Sequence, residues 1–379
     1  MKKALATILA LVMALSVTTM AWADDVAKID GTGYTLQEAV NAANNGQTIV
    51  LQSDVVLTAS LNVAVNKTVT LDLNSYKITA DMNGPHMICN AGNLTITDSS
   101  ANKIGEIAKI GAETNFGYVI ENHGTMTLDR CKISSTSVKS SAIENGWYTA
   151  SANAAGTSCT MTIQNAEVVS VNADGGLYTV KNDDYGEMVI NGGVFTNSVA
   201  GAGAVLNWND LTINGGTFTG ASAVRTLKSG SSDFETGKSQ IENGTFNGGI
   251  DTLDGYKTGI TIAVTGGTFS TDVTEYLAEG KILQKNSDTY TAVTNSGITS
   301  GTYTAKPTVP DGYKVVENTD GTFTVEKVGG YYYYQPTTDT KTDGTKGSPK
   351  TFDAGIALYV GMALTSAAGV AFVGKKRED

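Results

Sequence analysis

The sequence predicts an all-β protein built as a right-handed parallel β-helix, a solenoid in which each coil adds short strands to the coil before it. Gly is frequent, with 43 residues, and Pro is rare, with 5, which is typical of many short strands joined by tight turns. A seven-residue pattern recurs four times, and a second set of short apolar stretches ends each time in Asn. Repeats at a period of about 20 to 30 residues are the signature of a solenoid.

The seven-residue pattern joins an apolar pair to a polar residue, small residues and a final Phe. Its copies span 189–195, 212–218, 240–246 and 263–269, and looser copies begin near 70, 127 and 162, with Tyr76, Ile133 and Val168 in place of Phe. Because equivalent residues of successive coils stack, two inward rows are predicted. One row contains Ile190, Ile213, Ile241 and Val264, and the other contains Phe195, Phe218, Phe246 and Phe269.

The Asn residues that end the second set of stretches are predicted to form a ladder along the axis of the coil. They are Asn90, Asn122, Asn145, Asn182 and Asn207. Asn tolerates the left-handed backbone of a tight bend, and its amide can bond to the next coil. Over roughly residues 34 to 293 this pattern resembles the pectate-lyase-like β-helices. The resemblance implies the same fold, and that group includes polysaccharide lyases and glycosidases.

The first coil of the β-helix, assigned to residues 24–293, is predicted to be covered. A Thr35-x-x-Glu38 capping box indicates a short helix at about 35–45 that closes the first coil. At the other end, Asp320-Gly321 between apolar stretches predicts a β-hairpin within a small appendage, 294–328. Residues 329–347 lack periodicity and are interpreted as a flexible stem.

The N-terminus has the pattern of a secretory signal peptide. Residues 1–23 combine basic residues, an apolar stretch and the small residues Ala21 and Ala23, so the mature chain is expected to begin at Asp24. An exported protein is therefore predicted.

The C-terminus predicts attachment to the cell surface. Residues 354–374 are uncharged over a length that can cross a bilayer as a helix, and the basic tail 375–379 would stay in the cytoplasm. Before them lie Ser348, Pro349, Lys350, Thr351 and Phe352. Motif, apolar span and basic tail resemble the sorting signals of sortase-type surface proteins of gut clostridia. The resemblance implies a sortase-like transpeptidase as partner, with acyl transfer at Thr351; the alternative is an uncut membrane anchor.

Charge and composition exclude several classes of function. The formal charge of −11 makes nucleic acid a poor partner. The three Cys are odd in number and widely spaced, which favours small buried side chains over disulfides, and there are only two His. We therefore predict no catalytic residue, no cofactor and no metal site.

The best catalytic candidates are Glu121 and Glu144, which occupy equivalent positions before two ladder Asn residues. Polar strand positions routinely carry Glu, so an ordinary solvent-facing pair is the favoured interpretation. His123, Asp183-Asp184 and Arg130-x-Lys132 match fragments of the polygalacturonase pattern in the wrong order, and we interpret them as coincidence.

These features predict a surface-anchored, non-catalytic β-helix protein that is adhesive or binds glycans or proteins of a host or neighbouring cell. One alternative is a surface-anchored carbohydrate-active enzyme, either a polysaccharide lyase or a glycosidase. Another is a passive stalk or coat component.

Overall fold

The computed structural model describes residues 25–329 except 83, 85, 102–103, 112–116, 137–140, 148–155, 172–177 and 229–235. The predicted signal peptide with its cleavage site, the sorting motif, the transmembrane helix, the basic tail and all of the stem except Gly329 lie outside these residues. The chain divides into two units, Met1–Val328 and Gly329–Asp379, and every element below belongs to the first. Within the described ranges, no helix is both long and apolar enough to span a membrane.

The described chain consists almost entirely of short strands, with one α-helix, α1 (Leu36–Ala42), and one 3-10 helix, Thr274–Tyr276. The strands of the first half are β1 Ala27–Ile29, β2 Thr32–Tyr34, β3 Gln47–Leu51, β4 Val55–Leu57, β5 Leu61–Val63, β6 Thr68–Asp72, β7 Lys77–Ala80, β8 Ile88–Asn90, β9 Asn93–Thr97, β10 Glu106–Lys109, β11 Ile120–Asn122, β12 Thr125–Ser135, β13 Ile143–Asn145, β14 Cys159–Ser170 and β15 Tyr178–Asn182. Those that follow are β16 Gly186–Ile190, β17 Gly193–Asn197, β18 Gly203–Asn207, β19 Asp210–Ile213, β20 Thr217–Thr226, β21 Lys238–Ile241, β22 Thr245–Asp251, β23 Thr261–Val264, β24 Thr268–Phe269, β25 Lys281–Asn286, β26 Thr289–Thr294, β27 Gly301–Tyr303, β28 Tyr313–Glu317 and β29 Phe323–Lys327.

Most strands pair in parallel with the strand one coil earlier and one coil later, in three series that the chain visits in turn. The first series is β3, β6, β9, the start of β12, the start of β14, β16, β19, β21 and β23. The second is β4, β7, β10, the end of β12, the end of β14, β17, the start of β20, the start of β22 and β24. The third is β5, β8, β11, β13, β15, β18, the end of β20 and the end of β22. This all-β, mostly parallel architecture is consistent with a β-helix or solenoid.

The repeated apolar residues pair in register because each strand sends alternate side chains to the interior. Ile190, Ile213, Ile241 and Val264 face one another along the first series, and all four are fully buried. Phe195, Phe218, Phe246 and Phe269 stack along the second series, with ring centroids 4.9 to 5.0 Å apart. Ahead of each Phe stands a Gly with φ between 111° and 134°, a backbone that side chains with a Cβ rarely adopt.

The looser upstream copies differ from the sequence assignment at one residue. Ile78 pairs with Ile107, which pairs with Ile133, and Val168 pairs with Phe195. Tyr76 was therefore the wrong equivalent of Phe. Two turn residues with positive φ, Asn74 and Ser75, lengthen the bend between β6 and β7, so the next inward side chain comes two positions later than expected.

Helix α1 covers the first coil. The Glu38 carboxylate accepts from the Thr35 amide at 3.2 Å and from the Thr35 hydroxyl at 2.7 Å, while Leu36 and Val40 are buried. Gln37 pairs with strand β5 as another strand would: its Nε2 donates to Asn62 O at 3.0 Å, and its Oε1 accepts from Asn62 N at 2.8 Å. The helix therefore satisfies the edge of the third series.

The parallel strand pairs end at β24, earlier than the predicted boundary at 293, and one isolated parallel bridge, between Val264 and Leu277, follows them. Strand β26 pairs antiparallel with β24 and β25, and β25 continues through β27 and β29 to β28. Asp320-Gly321 stands in the turn between β28 and β29. The antiparallel part thus begins at Lys281, inside the range assigned to the β-helix, because the β25–β26 hairpin pairs with the last strand of the second series.

Candidate functional site

The five ladder Asn residues lie at the end of the third series, where the chain bends toward the first. Each amide nitrogen donates to the side-chain oxygen of the next Asn, at 2.7 to 2.8 Å, from Asn90 through Asn122, Asn145 and Asn182 to Asn207. Asn207 Nδ2 then donates to Ser239 Oγ at 3.0 Å. All five residues are buried, so the ladder holds successive bends in register.

One position before the ladder, the third series carries side chains on the opposite face of the strands. Asn points inward together with Ile120 and Ile143, so the residue between them must point away from the core. We call this line of positions the third-series row. It contains Cys89, Glu121, Glu144, Lys181, Leu206, Arg225 and Asp251.

The interpretation of Glu121 and Glu144 as a solvent-facing pair is wrong for Glu144. The two residues do pair in register on β11 and β13, but only 1% of Glu144 is exposed, and Glu121 is partly buried. Tyr118 and Asp183, both buried, cluster with Lys181 around the Glu144 carboxyl group. Strand alternation alone would leave Glu144 exposed to solvent. Tyr118 and Asp183, which lie outside the strands of the third series, help to cover it.

The buried Lys181 contacts the carboxyl groups of both Asp183 and Glu144. Its Nζ lies 2.6 Å from Asp183 Oδ2, 3.6 Å from Glu144 Oε1 and 5.8 Å from the centre of the Tyr118 ring. Burial, together with Asp183 and Glu121, raises the pKa of Glu144 to about 8, although Lys181 opposes this. Burial lowers the pKa of Lys181, but Asp183, Tyr118 and Glu144 outweigh it and raise the net value. At neutral pH, Glu144 is thus protonated beside a charged Lys181–Asp183 pair.

Both histidines of the chain contact Glu121. Glu121 Oε1 lies 3.3 Å from His86 Nε2 and 3.8 Å from His123 Nε2. The amide of Tyr118 donates to His86 Nδ1 at 3.0 Å, so the proton of the neutral His86 ring is on Nε2, toward Glu121. Burial and the neighbouring His86 lower the pKa of His123 to about 4, so His123 is neutral at pH 7.

Stacked aromatic rings lie beside the Glu121 carboxylate. His86 stacks on Tyr118 with ring centroids 5.1 Å apart, and His123 stacks on Trp147 at 3.7 Å. The amide of Trp147 donates to Asp184 O at 2.9 Å, so the Asp183-Asp184 turn lies beside it. We call His86, Tyr118, Glu121, His123, Glu144, Trp147, Lys181 and Asp183 the third-series site.

One coil around the site carries buried polar atoms that make no hydrogen bond to any described residue. They are Glu144 Oε1 on strand β13 and, on either side of that strand, Ser141 Oγ and Trp147 Nε1. Buried polar groups are nearly always paired, and exceptions commonly mark places where a ligand or water completes the bonding. The three atoms offer one acceptor, one donor and one hydroxyl that can do either.

The row continues from Lys181 toward the C-terminus with a second ion pair and a second aromatic group. Arg225 Nε lies 2.5 Å from Asp251 Oδ1, and its Nη2 lies 3.0 Å from Oδ2. In the turn one coil beyond Asp183, the amide of Trp208 donates to Asn182 O at 2.8 Å. The Trp208 ring meets the exposed ring of Tyr256 edge-on at 6.1 Å.

Comparison of the chain with family models, curated proteins and solved structures finds no match. Its function is therefore inferred from its own residues.

The site unites several of the residues that the sequence singled out and leaves others apart. Glu121, Glu144, His123 and Asp183 lie together, whereas Arg130 bonds to Ser100 O and Lys132 pairs with Glu106 and Glu167 on the second series. Sequence reasoning missed His86, Tyr118, Trp147 and Lys181. One signal was available: aligning the ladder Asn residues places Lys181 beside Glu144.

The cysteines lie apart as free thiols, and burial raises the pKa of Cys89 to about 11 and of Cys131 and Cys159 to about 12. Groups of three or more His, Cys, Asp or Glu able to hold a metal ion do not occur among the described residues.

Proposed function

We propose that the protein is a right-handed parallel β-helix, displayed on the outside of the cell, that binds carbohydrate through the third-series site and the neighbouring Trp208–Tyr256 pair. One observation carries the proposal: every His and Trp that the structure describes lies directly beside a strand of the third series. His86 lies in the segment before β8, and His123, Trp147 and Trp208 lie in the turns that follow β11, β13 and β18. Aromatic planes beside carboxylates suit sugars, which present apolar C–H faces and hydroxyl groups on one ring.

Display on the surface rests on the terminal sequences. The signal peptide pattern of 1–23 supports export, and the apolar span 354–374 with its basic tail supports anchoring in the membrane. The Ser348–Phe352 motif supports a sortase-like transpeptidase as partner. In this proposal the capping helix and the C-terminal hairpin close the two ends of the β-helix.

A glycan array probed with the purified full chain tests carbohydrate binding. We expect binding to at least one glycan and a loss of about fivefold in affinity for Trp208→Ala, because a stacked aromatic contact contributes about 1 kcal/mol. Val194→Ala serves as the control, since Val194 is an exposed apolar residue on the second series. Absence of glycan binding, or an equal loss in the control, would contradict the proposal.

A second candidate function, a carbohydrate-active enzyme, is favoured by the register of Glu121 and Glu144. Neighbouring parallel strands lie about 4.8 Å apart, close to the roughly 5 Å between the carboxyl groups of retaining glycosidases. The raised pKa of Glu144 would suit a general acid. Release of reducing ends from the bound glycan by the wild type, and its loss in Glu144→Gln with binding retained, would establish this function in place of binding alone.

A further inference from the structure

We infer that the third-series site selects uncharged or amino-bearing sugars and rejects sugars that carry carboxylates. The inference rests on the proposed carbohydrate-binding function and names the class of ligand. It follows from which charged groups of the site reach solvent and which are already paired.

The titratable groups of the site that reach solvent most are one carboxylate and two imidazoles. The side chains of His86, His123 and Glu121 are 29%, 23% and 19% exposed, against 2% for Glu144 and 8% for Lys181. A ligand that enters therefore reaches Glu121 before the buried Glu144. A carboxylate accepts hydrogen bonds from hydroxyl and ammonium groups and repels other carboxylates.

His123 does not neutralise Glu121 at pH 7. His123 is neutral because burial and His86 hold its pKa at about 4. The Tyr118 amide occupies Nδ1 of His86, and only the other ring nitrogen faces Glu121. Burial raises the pKa of Glu121, and a carboxylate ligand beside it would raise that pKa further, so binding an acidic sugar costs either charge repulsion or the uptake of a proton.

Among the described residues, the cations that lie near the site are engaged or buried. Lys181 is held between Asp183 and Glu144, and Arg225 makes a two-point pair with Asp251. Lys109, close enough to Cys89 to influence its pKa, is 1% exposed. To bind a uronic acid, Lys181 or Arg225 would have to leave a carboxylate of the protein. The loss of that ion pair would cancel the free energy gained from the new one.

The polar atoms of the β13 coil that lack a hydrogen bond favour a hydroxyl-bearing ligand. Glu144 Oε1, Trp147 Nε1 and Ser141 Oγ are buried and make no hydrogen bond within the described chain. A sugar hydroxyl can both donate and accept, so it can satisfy such atoms without bringing a charge.

The test compares pairs of soluble glycans in which one member carries a charged group that the other lacks, with the full chain at pH 7. Suitable pairs are fully methyl-esterified and free oligogalacturonate, lactose and sialyllactose, cellohexaose and its C6-carboxylated form, and chitin and chitosan oligomers. We expect the neutral member to bind at least tenfold more tightly than the acidic one, and the chitosan oligomer to bind no more weakly than chitin. Raising NaCl from 0.05 to 0.5 M should reduce the difference in affinity between the neutral and the acidic member, because salt screens repulsion at a partly exposed group.

Glu121→Gln should bring the neutral and acidic members within threefold of each other, since it removes the charge and keeps the shape. Glu326→Gln is the matched control, because Glu326 is half exposed on β29 and pairs only with Lys314 among described residues. Tighter binding of acidic members by the wild type would overturn the inference while the proposed function stands. Salt-independent discrimination would overturn its electrostatic basis, and failure of every glycan to bind would instead contradict the proposed function.

Discussion

At the scale of the residue, Glu144 shows how neighbours change the chemistry of an ordinary strand position. Strand alternation turns Glu144 away from the core, yet Tyr118, Lys181 and Asp183 gather around it and leave it 1% exposed. An ionised carboxylate in this position would add a second negative charge beside a single lysine. Protonation avoids that cost and leaves one balanced Lys181–Asp183 pair.

We predict that Glu144→Gln stabilises the protein at alkaline pH. The pKa of Glu144 rises from 4.5 to about 8 on folding, so the folded state holds more protons between these values, and the free energy of unfolding falls as pH rises through them. The lowered pKa of His123 has the opposite effect: below about pH 6.5 it makes the free energy of unfolding rise with pH. Urea unfolding from pH 6.5 to 9 should therefore show a wild-type loss of about 2 kcal/mol that Glu144→Gln lacks.

The control for this experiment is Glu317→Gln, an exposed glutamate on β28. It should follow the wild-type pH profile. Identical profiles for wild type and Glu144→Gln would show that Glu144 is not held protonated by the fold.

At the scale of the element, the third series is held together by the buried Asn ladder at its bends. Its strands β8, β11 and β13 have only three residues each, so few backbone bonds join them. The Asn ladder adds a side-chain bond between coils at each bend, and the same amides also donate to backbone oxygens such as Thr125 O, Thr160 O and Glu187 O. Short strands that carry the site are thereby kept in register.

We predict that Asn145→Ala destabilises the protein by roughly 1 to 3 kcal/mol for each buried group left unpaired. The change removes the acceptor of Asn122 and the donor to Asn182 Oδ1. Asn214→Ala is the matched control, because Asn214 Nδ2 donates to Asn191 Oδ1 at the same 2.8 Å but on the exposed surface. The control should cost less than about 0.5 kcal/mol in chemical denaturation, and equal costs would contradict a structural role for burial of the ladder.

At the scale of the whole molecule, the location of the protein depends on its two termini. If a sortase accepts the Ser348–Phe352 motif, acyl transfer at Thr351 leaves Phe352 and the apolar span in the membrane and links Thr351 to an amine of the wall. If it does not, the chain stays anchored by the span itself.

We predict that the mature chain begins at Asp24 and that Thr351→Ala abolishes wall linkage without changing the fold. Mass spectrometry of envelope-derived peptides checks both ends of the chain. Detergent should release the variant, whereas the wild type should require muramidase. An unbroken peptide from Lys350 through Phe352 in most wild-type molecules would contradict cleavage and leave the membrane anchor.

Repetition let the sequence by itself predict the stacked strands. In a solenoid each inward residue contacts its own equivalent one coil away, so spacing along the chain translates directly into contacts. The rows of Ile213 and Phe218 and the ladder through Asn145 follow from this local rule. Where a coil is longer than its neighbours, as at Tyr76, spacing along the chain assigns the wrong residue to the inward row.

Only the tertiary structure decided the character of the third-series site. Burial of Glu144 depends on Tyr118, Lys181 and Asp183, and the environment of Glu121 depends on His86, 35 residues earlier in the chain. Among these neighbours, Lys181 is in register with the residue that it affects, Glu144. The others occupy different positions in the repeat from the residues that they affect. Periodicity assigns a side chain to the inner or outer face, whereas exposure and charge depend on irregular residues that no period predicts.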